Sequence, residues 1–169
     1  MRALFCDIGS VNLGWAIGGP DESPSHGCYQ PPRTGANLGW LVVDIETFLV
    51  PLIADNCVTM IAYESPVLYH DNPLMTLRKL HSVGTKIEEI AYRRGIPCEE
   101  ALPGVIRKHF LGRGNTPKAR AEIKESVIRR CNMLGWHPET DHAADSLAGL
   151  SYLLAMKTSV LARKIGELL

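Results

Sequence analysis

Residues Cys57 to Tyr63 form a short apolar run closed off by Asn56 on one side and Pro66 on the other. A segment of that length and composition suits a strand buried on both faces, and such a strand needs helices above and below it. The chain is thereby confined to layered α/β architectures. Ala3 to Cys6 and Trp15 to Ile17 read as two short strands of a hairpin, and the glycines between them suit a tight turn or the close approach of a ligand. The Pro- and Gly-rich stretch from Gly18 to Gly35 makes a loop with a short edge strand around Gly27 to Gln30.

Helices fill most of the remainder. Asn37 is a plausible N-cap for a segment reaching Asp55, whose apolar residues from Leu38 to Ile53 recur at helical spacing, with Pro51 placed to kink the last turn. A second helix spans Pro73 to Arg94 and ends at Gly95, followed by a strand over Ile96 to Leu102 and a short helix over Pro103 to Phe110. Leu111 to Thr116 is a Gly-rich basic loop, Pro117 to Leu134 is a helix ended by Gly135, and the last helix starts near Asp141. Three antiparallel strands followed by strand-helix-strand crossovers give a mixed five-stranded sheet with helices on both faces, read as one domain over residues 1–169.

Asp7 and Glu64 break this pattern. Each follows a buried apolar run directly, in Leu4-Phe5-Cys6-Asp7 and Ile61-Ala62-Tyr63-Glu64. An isolated charge carried into such a place is costly, so the carboxylates are expected to meet a cation. If their strands are neighbours, both open at the same edge of the sheet. A third acidic element is Asp141-His142-Ala143-Ala144-Asp145, where helical spacing lets Asp145 share a face with His142 or Asp141. The small residues Ala143, Ala144 and Ala148 let that helix approach the sheet closely. Asp141 alone is equally a helix cap, and a solitary histidine is more often structural than a ligand.

Carboxylates gathered in this way stay ionised together only beside cations, and an oxygen-rich donor set selects magnesium or manganese. Two such ions would suit phosphodiester hydrolysis. The charge distribution fits a polyanionic substrate. The 18 basic and 18 acidic residues cancel overall, yet residues 1–77 sum to −6 while residues 78–137 sum to +7. Within and beside that basic third, Arg78, Lys79, Arg113, Lys118, Arg120 and Lys124 are the candidates for DNA contact. Because Glu88, Glu89, Glu122 and Glu125 interleave with them, charge alone is as consistent with a solvated helix surface.

Other chemistries lack their residues. The five cysteines are scattered without a Cys-x-x-Cys pair, against a disulfide framework or zinc knuckle. No Walker-type loop calls for a nucleotide cofactor, no apolar run is long enough to span a bilayer, and no signal peptide is recognisable, so a cytoplasmic location is expected.

These features together resemble the RuvC-type Holliday junction resolvases of the RNase H-like superfamily, over nearly the whole chain. The resemblance rests on Asp7-Ile8-Gly9 with Gly14-Trp15-Ala16, on Tyr63-Glu64, on Gly114-Asn115-Thr116-Pro117-Lys118, and on His142-Ala143-Ala144-Asp145-Ser146-Leu147-Ala148. It implies an RNase H-like fold and a homodimer that nicks four-way DNA junctions symmetrically, leaving 5′-phosphate and 3′-hydroxyl ends. The implied metal positions are Asp7, Glu64, His142 and Asp145, holding two Mg2+ or Mn2+ ions, with Asp141 as the alternative ligand and Lys118 near the cut. His142 stands where many members carry an aspartate. Val67 stands where members often carry a phenylalanine that stacks on a base at the junction centre, and Tyr69 is the nearby aromatic that could replace it. The side of the helix from Pro73 to Arg94 bearing Leu74, Leu77, Leu80, Ile87 and Ile90 is the dimer contact, or else packs on its own sheet. Rival readings are an RNase H-like nuclease acting on RNA or an RNA/DNA hybrid, a DNA-binding module without activity, and an actin-like kinase, whose further phosphate and adenosine motifs are absent here.

Overall fold

A computed structural model gives the arrangement of residues 1–33, 35, 37–67, 73–112 and 120–166, with the side chains of Arg120 and of 160–166 outside the description. Five strands form one sheet in the order β3-β2-β1-β4-β5. They are β1 (Ala3–Ile8), β2 (Leu13–Gly18), β3 (Ser25–Tyr29), β4 (Met60–Glu64) and β5 (Cys98–Ala101). The first three pair antiparallel, whereas β4 lies parallel to both β1 and β5. The expected mixed sheet is therefore present.

The pleat sends alternate residues to opposite faces, and two cores result. Leu4, Cys6, Ile8, Ile61 and Tyr63 meet α1 (Leu38–Asp55) and α2 (Leu74–Arg93). Ala3, Phe5, Met60 and Ala62 meet α3 (Pro103–Leu111), α4 (Arg120–Met133) and α5 (Asp141–Gly166). The Asn37 side chain caps α1 by accepting from the Trp40 amide, as expected, and the helix runs through Pro51 to Asp55.

Several boundaries differ from the sequence reading: β3 runs over Ser25–Tyr29 rather than around Gly27 to Gln30, β5 is confined to Cys98–Ala101, and two further cases bear on the site. The apolar run at Cys57 starts as a turn: Cys57 has φ +50°, in the left-handed region, and the strand begins at Met60. The hairpin strands are longer than expected, so Asp7 lies within β1 rather than beyond it. The helix proposed as the dimer contact uses most of its apolar side at home, since Leu80, Ile87 and Ile90 are buried against the sheet while Leu74 is 74% exposed. A stripe at helical period identifies a buried face without saying which surface buries it.

Candidate active site

Asp7 and Glu64 face each other across the β1–β4 pair. Cys6 is in register with Tyr63, and each acid is the next residue along, on parallel strands spaced about 4.8 Å apart. Because Phe5 and Ala62 belong to the core beneath α5, alternation puts both carboxylates on that same face. Asp7 is buried, with 7% of its surface exposed.

Helix α5 lies over this corner because nothing bulky holds it away. A Cβ on Gly14 would collide with the carbonyl oxygen of His142 and stand 2.5 Å from the Ser146 hydroxyl oxygen. A Cβ on Gly149 would collide with the Phe5 ring, and Ala143, Ala144 and Ala148 are buried along the same contact. Thr140 caps the helix, its hydroxyl oxygen accepting from the Ala143 amide, so the capping role considered for Asp141 falls one residue earlier.

His142 then reaches Asp7, with Nδ1 2.5 Å from Oδ2. This bond, ahead of an opposing desolvation, raises the imidazole pKa above its ordinary value. Asp145 is pushed up to about 7, first by burial and then by the charge of Asp7. Burial and the charges of Asp7 and Asp145 push Glu64 up to about 8. Glu64 and Asp145 thus both lie close enough to Asp7 to feel its charge. Asp141 turns toward α4, where Lys124 pairs with it and holds its carboxyl below the usual range.

Arg107 was missed by sequence reasoning. Its charge opposes the upward shifts of both Glu64 and Asp145. It sits on α3, which starts two residues after β5, and β5 ends beside Glu64 with Ser65 donating its amide to the Ala101 carbonyl at 2.9 Å. Only the tertiary path of β5 into α3 brings it there; in sequence it is one cation in a basic stretch. Lys118, Arg113 and Tyr69 lie outside the described residues, as does the side chain of Arg120. Arg78 is exposed early in α2, and Lys79 lines a pocket beside the β1–β2 turn.

The donor chemistry of this corner, three carboxylate groups and an imidazole, fits a hard divalent cation. Among the described residues, no group of three or more His, Cys, Asp or Glu side chains is drawn together closely enough to hold a metal ion as the side chains stand. No helix among them is long and apolar enough to cross a membrane.

A mixed sheet in this order, flanked on both faces by helices and carrying acids at the ends of its adjacent central strands, is the RNase H-like fold. Two structures of Thermus thermophilus RuvC share it: one in complex with a Holliday junction substrate, at TM-score 0.68 and 19% identity over 88% of this chain and 89% of that one, and another at TM-score 0.67 and 21% identity over 88% and 90%. The yeast mitochondrial Holliday junction resolvase Ydc2 follows at TM-score 0.62 and 12% identity over 90% of this chain and 77% of that one. No family model matches the chain. The crossover junction endodeoxyribonuclease RuvC of Sorangium cellulosum (strain So ce56), however, is 32% identical over 154 residues, covering 88% of this chain and 81% of that protein. The chain belongs to the RuvC family.

Proposed function

We propose that this protein is a divalent-metal-dependent, structure-selective endonuclease that resolves four-way DNA junctions by paired symmetric nicks in the cytoplasm. The observation that carries the reading is geometric: Asp7 and Glu64 lie side by side on the adjacent parallel strands β1 and β4, and His142 of α5 reaches Asp7. Asp7, Glu64, His142 and Asp145 would hold two Mg2+ or Mn2+ ions. Bound there, the ions supply activation of a water and stabilisation of the leaving oxygen.

The chain's own groups do the rest. Asp7 anchors the site from a rigid strand and fixes the His142 ring through Nδ1. With Nδ1 held by Asp7, the other ring nitrogen of His142, Nε2, is the one that would ligate a metal ion. Arg107 and Lys118 offset phosphate charge, and Arg78, Lys79, Arg113, Arg120 and Lys124 extend the contact along the DNA. Tyr69 takes the place of the stacking aromatic that Val67 cannot supply. Two sites act together in a homodimer, for which α2 offers an exposed strip containing Leu74, Arg78, His81, Thr85 and Tyr92.

Incubating the protein with a synthetic four-way junction, a linear duplex and an RNA/DNA hybrid, with and without magnesium, tests this. The expected result is paired nicks in the junction alone and only with metal. Equal cleavage of duplex or hybrid would reject junction selectivity.

A further inference from the structure

Asp141 and Lys124 form an ion pair beside the carboxylate corner. Lys124 stands on α4 and Asp141 opens α5, where its Oδ2 takes the Lys124 ammonium and its Oδ1 accepts from the His142 amide at 3.1 Å. Because Thr140 caps the helix, Asp141 has no capping duty. It lies one residue before His142 and four before Asp145, and residues four apart on a helix share a face. Asp145, raised first by burial and then by the charge of Asp7, is raised further by Asp141 and lowered by Lys124, so both members of the pair lie within its electrostatic reach.

The corner is short of one negative charge. Two divalent ions bring four positive charges, and Asp7, Glu64 and Asp145 return three, because His142 ligates as a neutral imidazole. Among the described residues no three donors stand close enough to hold an ion as they are, so side chains must move when one binds. Asp141 is able to move: its side chain is 35% exposed and that of Lys124 34%, and an ion pair this open to water is weak. The same exposure leaves Lys124 open to a phosphate arriving from solvent, which competes with Asp141 for the ammonium.

We propose that Lys124 is a latch: it holds Asp141 away from the metal ions until a DNA phosphate displaces the carboxylate from the ammonium, and Asp141 then joins the ions as their fourth acidic ligand. Lys124 is thereby a positioning residue, and arrival of the substrate tightens the metal site. The latch rests on the junction-endonuclease reading given above.

Calorimetric titration of magnesium into the full chain without DNA tests the latch apart from cleavage. Lys124→Met should bind the ion about fivefold more tightly than wild type, the factor by which a weak pair withholds Asp141. Adding Asp141→Asn to that variant should cancel the gain. By reciprocity, Ca2+ as the probe ion should tighten four-way junction binding by the wild type about fivefold more than by Lys124→Met or Asp141→Asn, with the DNA verified intact on a denaturing gel. Both side chains are half-exposed, so the substitutions spare the fold, which thermal melts verify. Lys124→Met tightening magnesium equally in the Asp141→Asn background would reveal plain charge repulsion. That result, no tightening at all, or an equal Ca2+ effect on junction binding in all three proteins overturns the latch alone. A wild-type protein that binds no magnesium overturns the metal-dependent reading beneath it, and the latch too.

Discussion

The two faces of the sheet are built on opposite principles. Beneath α1 and α2, large aliphatic side chains such as Leu4, Ile17, Leu49, Ile61 and Ile87 are wholly or almost wholly buried and hold the helices off at ordinary distance. Beneath the start of α5, the contact is made by Gly14, Ala16, Ala143, Ala144, Ala148 and Gly149. The first face gains stability through apolar area. The second gives up bulk, and the helix comes close enough for His142 to meet Asp7, with Asp145 near enough to feel the Asp7 charge. Closeness there comes with burial and neighbouring charge that raise the pKa values of Glu64 and Asp145.

Substitutions on each side should separate these roles. Asp7→Asn, confined to the α5 face, should lower junction cleavage by about a thousandfold or more, since metal-supported charge stabilisation amounts to several kcal/mol, while junction binding in a gel-shift assay stays within a few-fold. Leu49→Ala on the opposite face should do the reverse, removing about 2–5 kcal/mol of stability in urea titration and leaving cleavage by the folded fraction intact. Gly149→Ala pushes α5 from Phe5 and should cost about 1–3 kcal/mol, with a loss of cleavage out of proportion to the unfolded fraction. If its cleavage merely tracks stability, close approach of the helix is not what positions the acids.

The smallest effect concerns pH. Glu64 and Asp145 are raised to about 8 and about 7 in the folded chain from 4.5 and 3.8, so the folded state retains protons that the unfolded state has released. Stability from these groups is therefore complete below about pH 4 and lost as pH rises through 7 to 8; the raised His142 acts in the same direction. The melting temperature without divalent ions should fall on the order of 5 °C between pH 5 and pH 8. Magnesium should restore more at pH 8 than at pH 5, because ligation requires the ionised carboxylates. Glu64→Gln should flatten the profile; a profile equally steep in that variant would show that other groups set it.

What the sequence disclosed about these faces follows from which signals are local. Asp7 and Glu64 were legible because a charge interrupting an apolar strand conflicts with its own neighbourhood. The layered α/β class followed from periodicity alone. Arg107 was not legible, because its proximity to Glu64 and Asp145 depends on how β5 feeds α3. Nor was the fate of α2's apolar side, since Leu80 and Ile90 would show the same spacing whether facing a sheet or a second subunit. Cys57 and Val58 continue an apolar run yet precede the strand, the left-handed Cys57 turning the chain where composition predicts extension. Gly149 is the sharper case: its alanine neighbours suggested close packing, but only the Phe5 ring against it shows why even a methyl group is excluded.

Helix α5 is the last described element along the chain, and it brings the third acid. During synthesis a ribosome extends the polypeptide by about 5–20 residues per second, so several seconds pass between the emergence of Glu64 and that of Asp145. A nascent or truncated chain ending before α5 carries two acids and no third. On the proposed reading of the site, the acid set is completed only when the last described helix has been made, a consequence of nothing more than the order of the parts.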